Sequence, residues 1–298
     1  MEKKKKARLC SDSSSSQSHG EERVSQTCSC WEGLSPEILA LIFVRLPPDE
    51  MARRVPFVCR SWRETVAGPY CWTEIDIEKW CRRCNRSEII DPAVRYLVRR
   101  SKGTVRFLSA YKLGNRTFAF IASFGKCLKV LKIPMSQVID KIVVEHAGSL
   151  SMLTVLDISY CVKITSKGLE ALGKHCKSLI HLRRNMPPPE IELGSKAVED
   201  EAMAVANTMP GLLHLELGYG LFSDHGLDAI LTKCKALCHL DIQGCWGVKM
   251  EGDLEERCER IMFFRSPWDD DEYDDASSSD SGSDGQGDKS GSSSDYSD

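Results

Sequence analysis

Apolar residues are distributed along this chain in more than one rhythm. Between Trp31 and Trp72 they are dense, and Ile38, Leu39, Leu41, Ile42, Phe43 and Val44 point round nearly every face of one predicted helix. A helix that is apolar all round is a helix covered on all sides. Its start is legible: Ser35 can cap it, Pro36 stands where its missing N–H costs nothing, and Glu37 complements the positive helix end. A segment of about forty residues cannot bury much surface by itself. Each such side chain contributes roughly 1.5–3 kcal/mol when buried, so the pattern implies a second protein lying over that helix.

Further on the rhythm becomes a repeat. The pattern L-x-x-L-x-L returns at Leu128–Leu131–Ile133, Leu153–Leu156–Ile158, Leu212–Leu215–Leu217 and Leu237–Leu240–Ile242, with weaker copies at Val105–Leu108 and Leu179–Leu182. The steps are about 23 to 26 residues, with one of about 33, which fits the leucine-rich-repeat period. The long step contains Pro187–Pro188–Pro189, the mark of an inserted loop. Helices are predicted between the strands. Thr165 or Ser166 opens one with Leu169, Leu172 and Cys176 on its buried face, and Asp224 opens another with Leu227, Ile230 and Cys234. Asp200, then Ala202, Val205, Ala206 and Met209, gives the same helix in the longer repeat. Before the repeats, Ile75–Asp76–Ile77 alternates like a first strand, and Asp91–Pro92 caps a helix with Val94, Leu97 and Val98 inward. After the last L-x-x-L-x-L, Leu254, Cys258 and Ile261 suggest a closing helical cap.

The residues Leu34–Ser35–Pro36–Glu37–Ile38–Leu39, Ile42, Leu46–Pro47 and Val58–Cys59–Arg60–Ser61–Trp62–Arg63, with Trp72 at the end, resemble an F-box. That resemblance implies a three-helix module docking on the Skp-type adaptor of a cullin–RING ubiquitin ligase, through Leu34, Pro36, Leu39, Ile42, Leu46, Val58 and Trp62. Cys161 and Cys245, just after strands and each followed by an apolar residue, resemble cysteine-containing leucine-rich repeats of F-box/LRR proteins. The whole is similar to short plant F-box/LRR proteins, some of which carry a WD-repeat name. This chain has no WD repeats, and its Trp268–Asp269 pair lies in the tail. The expected fold is α/β: a disordered basic, Ser-rich head (1–30), an F-box (31–72), a connector (73–104), a leucine-rich-repeat solenoid with a C-terminal cap (105–265) and a disordered acidic Ser/Asp tail (266–298).

Charge and cysteine usage narrow the chemistry. The formal charge of −3 over 298 residues is split. From Ser266 onward acidic residues outnumber Lys289 by about ten, leaving the body about +7. No apolar run approaches the roughly 18 residues of a membrane span. Lys3–Lys6 precedes serines and not an apolar stretch, so it is no secretory signal; nucleus or cytoplasm is the expected location. The 14 cysteines are irregularly spaced and read as reduced thiols. Cys161, Cys176, Cys234 and Cys245 recur at repeat positions, as small buried hydrophobes do. Cys81-x-x-Cys84 has knuckle spacing without a second pair, and Cys28-x-Cys30 is too tight, so no metal or cofactor is expected. Nucleophile-elbow, P-loop, zincin and dinucleotide motifs are absent, which points away from an enzyme.

The function these features imply is the substrate-recognition subunit of an SCF-type ligase. It would act by positioning, raising the effective concentration of a substrate lysine near ubiquitin carried by other subunits. Two other readings use the same residues. A small-molecule receptor would need a pocket on the repeat face. A nucleic-acid binder would use Arg82, Arg83, Arg86, Arg95, Arg99 and Arg100, but the acidic tail offsets them and aromatic–basic interleaving is missing. The substrate itself cannot be named from sequence; its surface can be placed. The third positions of L-x-x-L-x-L read Phe107, Val130, Val155, His181, His214 and His239, and the fifth read Ser109, Lys132, Asp157, Arg183, Glu216 and Asp241. Parallel strands about 4.8 Å apart would stack the three histidines beside a band of alternating charge. His181, Arg183, His214, Glu216, His239 and Asp241 are therefore the expected substrate contacts, with capture varying between about pH 6 and 8 as imidazoles titrate.

Overall fold

A capped, proline-initiated helix does open the first part of the chain. Ser35 is its N-cap, with the hydroxyl accepting the Ile38 amide at 3.4 Å, and Pro36 begins α1 (Pro36–Phe43). The structure, a computed structural model, describes residues 31, 33–188 and 198–269. The basic head, most of the acidic tail, Cys28, Cys30 and most of the insert after Pro188 lie outside the described residues. The chain divides into two compact units, one running to Trp72 and one from Thr73 onward.

The first unit contains α1, α2 (Pro48–Arg53) and α3 (Arg60–Ala67), with short 3-10 turns at Val55–Phe57 and Pro69–Trp72. Its core is Leu39, Ala40, Phe43, Met51, Val55, Val66, Cys71 and Trp72. Trp72 donates its indole N–H to the Val66 carbonyl at 2.7 Å, so its one polar group is satisfied in the core.

Among the described residues the second unit forms an eight-stranded parallel sheet in strict sequence order. Its elements are β1 (Glu74–Asp76), α4 (Glu78–Cys84), α5 (Ser87–Arg100), β2 (Phe107–Ser109), α6 (Asn115–Phe124), β3 (Val130–Lys132), α7 (Asp140–His146) and β4 (Val155–Asp157). They continue as α8 (Ser166–His175), β5 (His181–Arg183), α9 (Asp200–Thr208), β6 (His214–Glu216), α10 (Asp224–Lys233), β7 (His239–Asp241), α11 (Leu254–Glu259) and β8 (Phe263–Arg265). Every strand has three residues, and in β1–β7 the middle one is buried: Ile75, Leu108, Leu131, Leu156, Leu182, Leu215 and Leu240 are 1% exposed or less. Each such burial contributes roughly 1.5–3 kcal/mol, which locks the register in every repeat. The long repeat keeps it too, with His181 opposite His214.

Polar groups tie each repeat to the next. Near the start of a helix, a side chain accepts backbone N–H groups of the following repeat: Asp91 takes Gly114, Asn115 takes Ile139, and Asp140 takes Thr165 and Gly168. Glu199 takes Ser223, and Asp224 takes Lys249, Met250 and Glu251. These donors belong to the loop and first turn of a helix, where no partner within the helix exists. The cysteines do the same from the other side. The thiols of Cys161, Cys176, Cys234 and Cys245 donate to the carbonyls of Ile133, Leu150, Met209 and Leu217 of the preceding repeat, at 3.2–3.5 Å. Burial pushes Cys161 and Cys245 up to about 12, and Cys176 and Cys234 up to about 11. They are packed thiols at neutral pH, not thiolate ligands.

A left-handed residue follows most strands. Lys112, Met135, Tyr160, Tyr219 and Gly244 have φ between 58° and 71°. Their amides donate to Pro134, Ser159, Asn185, Gln243 and Pro267 of the next repeat. For a residue with a side chain this conformation costs of order 1 kcal/mol relative to glycine.

Two expectations change in detail, and two others gain detail. Asp91–Pro92 does not cap a helix: α5 begins at Ser87 and carries Pro92 inside it, while the Asp91 carboxylate serves the next repeat. Asp224 opens α10 as expected, with Ser223 as the N-cap and the Asp224 carboxylate turned to the loop beyond. The helix after β7 is followed by an eighth strand, so α11 stands between two strands. The apolar surface of α1 is divided, as a helix awaiting a second protein would be. Leu39, Ala40 and Phe43 face the core, whereas Ile38, Leu41, Ile42 and Val44 are exposed.

Candidate functional site

Two surfaces gather the residues singled out by sequence. The first is the uncovered side of the F-box-like unit. Leu41 is 65% exposed, Val58 60% and Phe57 80%, and Ile38, Ile42 and Leu46 are exposed beside them in the same unit. Pro36 is exposed, Leu34 and Trp62 are half-buried, and Leu39 is fully buried. Leu39 therefore belongs to the core and not to a contact face. Trp62 is wedged between Phe43, at 4.8 Å between ring centroids, and Trp31, at 5.9 Å edge to face. Arg63 donates to the Pro56 carbonyl at 3.0 Å and so fixes the turn that displays Phe57 and Val58. Ile38, Leu41 and Phe57 were missed by motif position; their spacing in a run with too many apolar residues for one core was the available signal.

The second surface is the face of the sheet turned away from the helices. His181, His214 and His239 occupy one register position on β5, β6 and β7. Their rings stack at 3.7 and 3.6 Å between centroids, and Phe263 on β8 continues the column at 4.1 Å. The parallel fifth-position row carries Lys132, Asp157, Arg183, Glu216, Asp241 and Arg265. Glu216 is its hub. The carboxylate meets His214 Nε2 at 2.7 Å, accepts from Asn185 at 3.1 Å and lies 2.8 Å from Arg183 Nε. That last N–H points off the hydrogen-bond line, so the Arg183 contact is ionic in distance but poorly directed. Asp241 sits 3.6 Å from Arg265.

Electrostatics follow from this packing. Burial opposes charge on Glu216, but hydrogen bonds from His214 and Asn185 and the Arg183 cation outweigh it and hold the carboxyl below its ordinary range. His181 is pushed down to about 4, first by burial and then by the neighbouring His214. His239 is lowered for the same two reasons. Burial thus keeps the His181 ring neutral at pH 6–8, which takes it out of the expected titration in that interval.

His181, His214 and Glu216 bring their ligand atoms within 4.8 Å of one another, close enough to ask whether they hold a metal. Stacked rings direct their in-plane lone pairs nearly parallel, whereas a shared ion needs them to converge. Arg183 also places a cation on the same Glu216 oxygen that His214 uses. The set is a hydrogen-bonded stack, and the geometry does not fit a metal.

The F-box-like family model matches residues 36–78. The chain is 45% identical over 222 residues to F-box protein FBW2 of Arabidopsis thaliana, covering 74% of this chain and 70% of that protein. It belongs to the F-box protein family. Two further Arabidopsis thaliana relatives are F-box protein SKIP19, 34% identical over 80% of this chain and 77% of that protein, and putative F-box/LRR-repeat protein 22, 32% identical over 83% and 79%. In this F-box protein the matched segment takes in all three helices of the first unit and the start of the second. Among the described residues, no helix is long and apolar enough to cross a membrane.

Proposed function

We propose that this F-box protein is the substrate-recognition subunit of an SCF-type cullin–RING ubiquitin ligase, working in the nucleus or cytoplasm. The observation that carries the reading is the apolar face that the first unit leaves uncovered, around Leu41, Phe57 and Val58. So many exposed apolar side chains beyond the unit's own core mark a protein interface. Its chemistry fits a Skp-type adaptor taking the side chains of Pro36, Ile38, Leu41, Ile42, Leu46, Phe57 and Val58, with Leu34 and Trp62 at its margin and Leu39 and Phe43 holding the helix beneath. On this reading residues 31–72 are the F-box. The strand–helix array from Thr73 to β8 is a leucine-rich-repeat domain whose first strand is β1, so the stretch 73–104 belongs to the array as well as connecting to it. His181, Arg183, His214, Glu216, His239 and Asp241 present a stacked ring column beside paired charges, a surface suited to directional contacts with a protein substrate. The protein contributes no bond-making group of its own; it raises the local concentration of the substrate.

The test is calorimetric titration of a Skp-type adaptor into the full chain. Phe57→Ala with Leu41→Ala should weaken binding by about 100-fold or more, since each exposed anchor contributes roughly 2 kcal/mol in a packed interface. Neither side chain supports the core, so the melting temperature should hold. Binding at unaltered strength would overturn the assignment of this face.

A further inference from the structure

Beside the histidine column a groove of about 560 Å³ opens at the carboxyl ends of the strands, walled by Tyr111, Met135 and Tyr160 and floored by Lys132, Asp157 and Arg183. Two features bear on what it can hold. Met135 and Tyr160 both sit at φ 60°, and both side chains are exposed. Their backbone is fixed by amides donating to Ser159 at 2.9 Å and Asn185 at 2.7 Å, a bond that any residue type can make. Gly244 fills the equivalent place near the end of the array, at φ 71°, without steric cost. The ladder therefore does not need the thioether or the phenol, and bulky residues held at strained angles concentrate at ligand clamps.

The second feature is the charge on the floor. Glu78 pairs with Arg82 at 2.7 Å and Glu216 with Arg183 at 2.8 Å. Lys132 lies over the Phe107 ring, 5.7 Å from its centre, and forms no ion pair among the described residues. Asp157 is opposite Lys132 in register and is held by the Ser159 amide at 2.9 Å. An acidic guest would gain Lys132 and meet Asp157; a basic guest would gain Asp157 and meet Lys132 and Arg183. A carboxamide satisfies both, its oxygen accepting from the ammonium and its NH2 donating to the carboxylate, with both bonds charge-assisted.

We propose that the groove binds an unmodified, extended peptide segment whose Asn or Gln side chain bridges Lys132 and Asp157 and whose neighbouring apolar side chain lies between Met135 and Tyr160. This rests on the substrate-recognition reading only in identifying the peptide as part of a substrate. The test probes a positional-scanning array of nine-residue peptides with the full-length chain, followed by anisotropy on the selected sequence. Gln or Asn next to an aromatic or aliphatic residue should be selected, and Glu, Lys or phosphoserine in its place should weaken binding at least 10-fold. Met135→Gly with Tyr160→Gly should keep or raise the melting temperature yet lose at least 10-fold in peptide affinity, as should Lys132→Ala. If the glycines loosen the loops, Met135→Asn with Tyr160→Asn retains the left-handed turn and must show the same loss. No selection on the array, equal binding of acidic or phosphorylated peptides, or full affinity in the variants would each overturn the proposal. Adaptor titration on the same preparations separates the two readings, because peptide selection does not require the F-box face.

Discussion

Arg184 offers a test of how the array is held together. It occupies the sixth position of L-x-x-L-x-L, where the other repeats carry Ile133, Ile158, Leu217 and Ile242, and it is 1% exposed. The guanidinium is fully engaged: Nε and Nη2 meet the two Glu201 oxygens at 3.2 and 3.0 Å, and Nη1 and Nη2 donate to the Cys161 and Ile164 carbonyls at 3.2 and 2.5 Å. Arg184 therefore binds β5 and α9 to the preceding repeat across the place where the chain inserts its long loop. Removing one partner of a buried pair costs about 3–5 kcal/mol, because the other charge is stranded. The Glu201 side chain is 31% exposed, so water recovers part of that, and Glu201→Ala should cost about 2–4 kcal/mol. For a domain of this size that is a fall in Tm of roughly 5–15 °C. Arg184→Leu combined with Glu201→Ala restores the aliphatic residue of the other repeats and removes the stranded charge. The double variant should be more stable than Glu201→Ala alone, lagging wild type by the two lost carbonyl bonds at about 1 kcal/mol each. Urea and thermal denaturation of all four chains measure the cycle. A shift under about 2 °C for Glu201→Ala, or a double variant less stable than the single, would refute the reasoning.

Two other outcomes follow from named contacts. Asp140→Ala removes the acceptor shared by the Thr165 amide, the Thr165 hydroxyl and the Gly168 amide, so it should lower stability by about 1–2 kcal/mol, read as a drop in urea midpoint at unchanged slope; an unaltered midpoint would mean that water replaces the bonds without cost. For pH, the unfolded His181 imidazole protonates near 6.5 but the folded one only near 4, so between these values the unfolded chain holds the extra proton. Stability should thus be fully present above about pH 6.5 and fall as pH drops towards 4, with His239 acting in the same direction and Glu216 adding its own loss below its ordinary range. His181→Phe keeps a ring in the column and should flatten the Tm profile over that window; equal acid sensitivity in the variant would assign the effect elsewhere.

The F-box motif was legible residue by residue because its signals are local. Ser35 and Pro36 start a helix through backbone groups one to three residues away, and the structure has that cap. Which face of α1 stays uncovered was not legible. Leu39 and Leu41 are the same residue type two positions apart, yet one is buried and the other 65% exposed, since only the packing of α3 and Phe43 decides it. The long-range roles of Asp91 and Asp224 were not legible for a related reason. Their partners, Gly114 and the Lys249–Glu251 amides, are more than twenty residues away, so a capping residue with a non-local acceptor role looks like an ordinary cap in sequence. The eighth strand escaped because Phe263–Phe264–Arg265 lacks the leucine pattern; pairing with β7 supplies the order that its own sequence does not announce.

By itself the sequence determined the repeat, the register and the row of residues on the open face, because a three-residue strand with a buried middle leucine leaves one arrangement for its neighbours. The histidines at His181, His214 and His239 stand in a column for that reason, despite the longer loop between the first two. Only the tertiary structure decided their chemistry. Burial and the neighbouring His214 push His181 down to about 4 and lower His239 against the pull of Glu216, a consequence of desolvation and neighbouring charge that no spacing rule contains. It also decided that Arg184, next in sequence to an exposed-face arginine, is an interior cation: the side chain of Arg183 leaves the strand on one face and that of Arg184 on the other.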